Sequence, residues 1–379
     1  MREIKLRANV AYHMHDILRW TSILVGLSMF AGTLLSLSRS PHWFVRGWDF
    51  PRLQIAVLAS GAGALYSWCC SEGALHDKLF LGSVMACVIW QAARIYPYTP
   101  IAPVRVQRSR DQSDERRLRL LICNVQMENT AHERLLRLVR ETNPDVLLAV
   151  ETDERWVRAL EPLAAEYPHV LRQPQSNWFG MVLFSRLPLH EARVQFLVQD
   201  DIPSVFAMLE LAGDRVLLCG LHPRPPEPLR NQDSSPRDAE LVLVGRWIAK
   251  QNGAPAIVAG DLNDVAWSAT TQLFLRLSKL LDPRMGRGLY NTYNARNPLV
   301  RWPLDHLFHS NHFRLVELRR CGDIGSDHFP VLVELSYEPE AAAEQSETRA
   351  APGDAEEAEE RLDAQADAAR TGDDRPDRS

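Results

Sequence analysis

Five strand-length apolar runs in this chain each end in a carboxylate, an amide or an imidazole. Asn124 closes LLICN, Glu151 closes DVLLAVE, His222 follows LLCGL, and the pair Asp261 and Asn263 follows IVAG. Asp305, with Asp327 and His328, completes the set in PLDHLF and GSDHFP. Continuous apolar runs of this length fit strands covered on both faces. A strand that crosses a covered sheet delivers the residue after its last apolar position to the sheet's edge, so these five ends predict one polar rim.

The segments between the runs support an α/β fold. Leu118–Asn124 reads as a strand and Thr130 opens a helix, with Thr130-x-x-Glu133 as a capping box. Asp145–Val150 is a second strand, and Trp156, Leu160 and Leu163 mark one face of a helix after it. Strand-like runs follow at 180–185, 204–211 and 215–221. Ser235-Pro236 starts a helix with proline in its first turn. Ala256–Ala259 leads into Asp261, Ser268 caps a helix to Leu281, and 304–309, 313–319 and 330–335 supply the remaining strands. Hairpin pairs mixed with helical crossovers predict mixed sheets covered by helices.

Both ends of the chain differ from this region. Trp20–Leu37, Leu53–Cys70 and Leu79–Tyr96 are each about long enough to cross a hydrocarbon core as a helix. Trp20, Trp90 and Tyr96 stand where interfacial aromatics gather. The expectation is therefore a three-span membrane region over residues 1–97 and a multi-pass protein in the lipid bilayer of a cell membrane. Arg2, Lys5, Arg7 and Arg19 favour a cytoplasmic N-terminus and an extracytoplasmic catalytic domain, while Arg105, Arg108, Arg110, Arg116 and Arg117 pull the other way. Residues 98–117, rich in proline and charge, read as a linker, and 118–337 as the catalytic domain. From Glu338 the chain has 14 acidic and 5 basic residues, about −9 of charge, which leaves about +4 for the rest of a chain whose total is −5. So few large apolar residues predict a disordered tail over 338–379. The six cysteines have neither zinc-site nor disulfide-framework spacing.

Each polar end has a chemical reading. Asp261 and Asn263 stand two residues apart on one rim, so an acceptor for a water proton and an amide donor for a phosphoryl oxygen point the same way. Glu151 ends an almost uncharged strand, where a bare carboxylate is costly and a metal ion would compensate it. Asn124 and Asp327 are oxygen donors for the same ion, directly or through water. Carboxylate and amide oxygens suit Mg²⁺, with Mn²⁺ as a substitute. His328 needs a carboxylate to fix its tautomer, and Asp305 supplies one. His306 should face the other side of its strand and be structural. His222 and Arg224 are candidates to meet phosphate oxygens, and Trp178, Trp267 and Trp302 to stack on a base or enter a lipid interface, although core packing is the commoner fate of tryptophan.

In this order the residues resemble the endonuclease/exonuclease/phosphatase superfamily over about Leu118–Leu335, including Phe179-Gly180 through Ser185-Arg186. The resemblance implies a four-layer α/β sandwich and Mg²⁺-dependent attack of water on a phosphoester. It implies Glu151 and Asn124 at the metal with Asp327 supporting, and Asp261 and Asn263 at the water and phosphate. His328 with Asp305 is then the catalytic pair, and His222 stabilises the phosphate. Two positions depart from the pattern. Val150 stands where many members have glutamine, and His222 where abasic-site endonucleases have tyrosine. The layout, with its apolar N-terminal region, is similar to that of membrane-anchored bacterial members. The expected function is a phosphodiesterase or nuclease. The alternatives are a phospholipid, inositol or sugar phosphate esterase, and an inactive membrane scaffold; no obligate protein partner is implied.

Overall fold

The computed structural model describes residues 2–69, 72–111, 113–227 and 232–371, with side chains from residue 12 to residue 370. Cys70 and the last eight residues of the tail lie outside them. The chain divides into two units, Met1–Pro97 and Tyr98–Ser379.

The first unit is four helices: α1 (Arg2–Leu37), α2 (Trp43–Gly47), α3 (Arg52–Cys69) and α4 (Leu75–Ile95). α1, α3 and α4 pack together around Ile55, Ala59, Tyr66, Phe80, Val84 and Cys87. The outward side chains are also apolar: Trp20, Leu24, Leu79 and Ile89 are each more than 60% exposed. An apolar exterior on an apolar bundle is the pattern of helices that face lipid. Among the described residues two stretches, Tyr12–Leu37 and Leu75–Tyr98, are long and apolar enough to cross a membrane, where the sequence suggested three. The middle helix opens on Arg52, which is buried and bonded to Asp49 (2.7 Å) and Gln91 (3.0 Å).

The second unit contains β1 (Arg117–Asn124), α5 (His132–Thr142), β2 (Val146–Val150), α6 (Glu154–Leu160), β3 (His169–Gln173), β4 (Met181–Ser185), β5 (Leu189–Phe196), β6 (Pro203–Leu211), β7 (Asp214–Leu221), α7 (Ser235–Ala249), β8 (Ala256–Asp261), α8 (Ala269–Ser278), β9 (Asp305–His309), β10 (Phe313–Arg320), β11 (Val331–Tyr337) and α9 (Asp354–Thr371). One sheet has the order β10-β11-β1-β2-β4-β3, the other β5-β6-β7-β8-β9. In each, one parallel pair, β1 with β2 and β7 with β8, lies among antiparallel neighbours. Helices cover the outer faces, giving the expected four-layer α/β sandwich.

The two-residue period of the strands sorts the core. Leu120, Ile122, Leu148, Val216, Leu218, Ile257, Ala259 and Leu307 point between the sheets. Leu121, Cys123, Leu147 and Ala149 point out to α5 and α6, meeting Leu135, Val139 and Trp156. Leu217, Cys219, Val258 and Phe308 point out to α7 and α8, meeting Leu241, Val244 and Phe274. The proposed capping box is absent: the helix begins after Ala131, and Asn129 Oδ1 instead accepts from the Ala131 amide at 2.9 Å. Pro236 in the first turn of α7 and the Ser268 cap on α8 are as the sequence indicates.

Both flanks of the domain correct the sequence reading. The stretch read as a linker is packed: Tyr98, Ala102 and Val106 are buried, the Tyr98 hydroxyl donates to Ala266 O at 2.7 Å, and Ser109 N donates to Leu315 O at 2.9 Å. The tail read as disordered is ordered to Thr371. Ala358 and Leu362 of α9 pack on Val242, Leu273 and Leu277 of α7 and α8. Two small apolar contacts sufficed because arginines of α7 and α8 meet the tail's acids: Arg276 holds Asp354 at 2.8 Å and Arg246 holds Glu359 at 3.0 Å.

α7 also buries a carboxyl away from the polar rim. Glu240 accepts from Ser204 Oγ at 2.6 Å, and burial outweighs that bond and pushes its pKa from 4.5 up to about 7. A carboxyl raised on folding stabilises below its unfolded pKa and loses that contribution as pH rises through the folded value. Between pH 4.5 and 7 the fold should therefore lose on the order of 3 kcal/mol from this group. Glu240→Gln should remove that slope in denaturant titrations at pH 5 and 8, leaving the variant the more stable protein at pH 8. An unchanged slope would show that Glu240 is solvated.

Candidate active site at the seam of the two sheets

The inward parity of the strands brings the site together. Asn124 shares the parity of Leu120 and Ile122, His222 that of Leu218, Asp261 that of Ile257 and Ala259, and Asp305 that of Leu307. All four therefore point into the seam. The parallel pairs present their C-terminal ends there, and β9 and β11 begin there because they run antiparallel to β8 and β1. Ligand sites form outside the carboxyl ends of parallel strands for this reason. Two glycines permit the close approach. A Cβ on Gly260, at φ +139°, would fall 2.0 Å from Leu221 O, and one on Gly180 would fall 1.9 Å from Thr152 O.

Asn124 ties the two sheets: its Nδ2 donates to Glu151 Oε1 at 2.7 Å and to Asp261 Oδ2 at 2.9 Å. Asp261 Oδ1 accepts from the Asn263 amide at 2.9 Å, and its Oδ2 lies 3.6 Å from His328 Nε2 and 3.9 Å from His222 Nε2. His328 Nδ1 bonds Asp305 Oδ2 at 2.8 Å. The turn before it is fixed by Ser326 Oγ, which donates to Asn124 O at 2.8 Å and accepts from His328 N at 3.0 Å. Carboxylates thus face both nitrogens of the His328 ring. Burial pushes its pKa down, but Asp305, Asp261 and Asp327 outweigh it and lift it to about 10. His222 has no such surplus: burial carries it down to about 4 against the pull of Asp261, so it is neutral, packed 5.3 Å from the Phe179 ring. Burial and Asp305 raise the Asp261 carboxyl against His328 and His222.

A cleft of about 340 Å³ opens on this cluster, lined by Gln126, Glu128, Glu151, Trp178, Phe179, His222, Pro225, Glu227, Asn263 and Asp327. Four of these non-glycine residues, Gln126, Glu151, Trp178 and Asn263, have φ between 50° and 68°. Left-handed backbone persists in such residues only where the surroundings enforce it, and it gathers at ligand sites.

Other sequence candidates lie elsewhere. Arg224 is bonded to Asp201 and Gln199 and lies over Phe179, so it supports the cleft wall instead of lining the cleft. Arg301 is spent on the Asn294 and Ala295 carbonyls. His306 faces outward, as expected, between Arg284 and Asp264 O. Of the three tryptophans only Trp178 lines the cleft; Trp267 is buried beside Tyr98, and Trp302 stacks on Tyr293. Sequence reading missed Gln126 and Glu128, which follow Asn124, and Glu227. Position after a strand end was the signal for the first two.

The family model described as "Endonuclease/Exonuclease/phosphatase family" matches residues 121–328, more than half of the 379 residues. The chain belongs to this family. Among solved structures it is similar to a humanized D. rerio TDP2 carrying 14 mutations, at 18% identity and a TM-score of 0.48, covering 58% of this chain and 99% of that one. It is similar to the human Nocturnin catalytic domain with bound sulfate, at 17% identity and 0.48, covering 58% and 94%. The endonuclease/exonuclease/phosphatase from Bacteroides vulgatus matches at 15% and 0.48, covering 59% and 99%. No curated protein matches the sequence.

Enzymes of the endonuclease/exonuclease/phosphatase family hydrolyse phosphoesters with a divalent metal ion, and the residues here fit such an ion. Two groups offer ligands. Asp261, Asp305 and His328 place ligand atoms within 4.8 Å of one another, but there the imidazole already faces both carboxylates. Glu151 differs: among the described residues its carboxyl accepts from the Asn124 amide, and burial lifts it to about 7. Asp327 shares the cleft with it, and no lysine or arginine is among the described lining residues. An oxygen-rich, cation-poor pocket is a donor set for a hard divalent ion.

Proposed function

We propose that this protein is a membrane-tethered, Mg²⁺-dependent phosphodiesterase. The observation that carries the reading is the buried Asp305–His328–Asp261 contact chain, which lies behind a cleft lined by Glu151, His222, Asn263 and Asp327. Glu151 and Asp327 would hold the ion with Asn124 beside them, and the ion supplies charge neutralisation of the phosphoryl group. Asp261, with one oxygen tied to its own turn and the other facing the imidazoles, takes the proton of the attacking water. His328, flanked by two carboxylates, remains a donor and stabilises charge on the phosphoryl oxygens, so the base role passes to Asp261. Asn263 Nδ2 donates to Pro223 O at 3.0 Å, which holds the amide at the cleft as a preorganised second donor. His222, neutral and buried, orients Asp261.

Among the described residues no lysine or arginine lines the cleft, and that lining suits a compact phosphodiester, such as a lipid head group, better than a long polyanion, which needs a track of lysine and arginine. The apolar exterior of α1 and α4 supports the tether. The full chain in lipid nanodiscs should hydrolyse phospholipid head groups only with Mg²⁺ or Mn²⁺ present, and His328→Ala should abolish the activity. Metal-dependent nicking of supercoiled plasmid in the same preparation would assign a nuclease instead. Folded protein inert on both and on bis(4-nitrophenyl) phosphate would leave the scaffold reading standing.

A further inference from the structure

The family match ends at residue 328, yet the ordered C-terminal helix is linked through Asp238 and Arg237 of α7 to the loop that carries Asn263. We propose that α9 is a positioning element of the active site, acting through Arg361, Asp238 and Arg237 on the Asn263 carbonyl; this rests on the phosphodiesterase reading above.

Arg361 Nη1 donates to Asp238 Oδ2 at 2.8 Å, and Ser234 Oγ donates to the same oxygen at 3.0 Å. The other oxygen of Asp238 accepts Arg237 Nε at 3.0 Å and Nη2 at 2.8 Å. Arg237 then points Nη1 at Asn263 O, 2.8 Å away, with Asp264 Oδ1 at 3.5 Å. Arg237 and Asp238 are both buried, and the Arg361 side chain is only 10% exposed. Each link is a charge-assisted bond shielded from water, the condition under which such bonds transmit position most firmly.

The target of the chain needs holding. Asn263 sits at φ +50°, a left-handed conformation that asparagine adopts more readily than most L-residues and that its neighbours here hold in place. Its carbonyl is gripped by Arg237 on one side. On the other, Asp264 is fixed by Ser268 and Thr271, and its carbonyl accepts from His306 Nε2 at 2.8 Å. Without Arg361, Asp238 Oδ2 keeps the Ser234 hydroxyl but loses its cation, and the stronger pull of that oxygen draws Arg237 away from Asn263. The Asn263 carbonyl then loses its donor, and the amide that meets the phosphoryl oxygen loses its aim. Arg361 is itself set by Glu357 Oε1 at 2.6 Å and by the Ala358–Leu362 contact with α7 and α8. The acidic tail thereby places one cation where the catalytic loop requires it.

The test compares Arg361→Ala, Arg361→Lys, Asn263→Ala and the double variant Asn263→Ala/Arg361→Ala, all in the full chain in nanodiscs. Turnover is followed on bis(4-nitrophenyl) phosphate and hydrogen exchange on the 260–266 segment. Arg361→Ala should lower kcat about tenfold, with KM and the metal half-saturation unchanged, and should raise exchange in 260–266 but not in the preceding strand residues 256–259. Arg361→Lys should recover part of the loss, and the double variant should be no slower than Asn263→Ala. Exchange in 260–266 that Arg361→Ala leaves unchanged would overturn the proposal. So would a tenfold loss repeated in the Asn263→Ala background, which would make α9 a general stabiliser. If the wild type turns over no phosphoester, the functional reading fails on its own and the exchange measurement alone decides the positioning.

Discussion

His328→Ala should lower kcat by about 10²- to 10⁴-fold, the range for removal of a positioned acid–base group, and should also lower the thermal transition, since it leaves buried carboxylates without their cation. The imidazole meets Asp305 at 2.8 Å and Asp261 at 3.6 Å, so its loss removes the charge that balances two buried carboxylates as well as a donor to the substrate. Asp305→Asn should reproduce much of the loss, because the amide can present its NH₂ group to Nδ1 and leave the ring in the wrong tautomer. Single-turnover rates on bis(4-nitrophenyl) phosphate, with circular dichroism as the control for folding, would measure both. A His328→Ala enzyme within a few-fold of wild type would remove the contact chain from the mechanism.

The second large effect belongs to the metal. Glu151→Gln should raise the concentration of Mg²⁺ or Mn²⁺ needed for half-maximal activity by at least about 100-fold, since even indirect ligand partners affect metal affinity by 10- to 100-fold. The glutamine keeps the shape and still accepts from Asn124 Nδ2, so the backbone at φ +61° need not move. Binding is best read by isothermal titration with Mn²⁺ alone, independent of turnover. An unchanged Mn²⁺ affinity would move the ion to the Asp261, Asp305 and His328 cluster.

Much of the site was legible in the sequence because sheet chemistry is local. A buried strand has a period of two, so once LLICN and IVAGD read as strands, Asn124 and Asp261 were committed to the same inward face as their apolar neighbours. The outward placement of His306 followed from the same count. The two strands that sequence reading passed over, β3 and β5, are partly exposed along their length. Their residues HVLRQ and LHEARVQF carry too little apolar alternation to stand out, and what holds them is hydrogen bonding to β4 and β6. Arg224 failed as a phosphate clamp because an arginine's partners are set by distance in space, here Asp201 and Gln199.

Beside the four-layer sandwich that its family resemblance implies, the sequence by itself determined mixed sheets covered by helices, the strand ends that carry the polar groups and the face on which most of them lie. These follow from period, length and burial, which are properties of neighbouring residues. Only the tertiary structure decided which groups meet: Asn124 bridging Glu151 to Asp261, carboxylates on both sides of His328, and Arg361 reaching Asp238 from a tail whose composition argued for disorder. Those contacts join residues 23 to 137 positions apart. Their geometry depends on how two twisted sheets and their helices pack, and no local pattern along the chain encodes it.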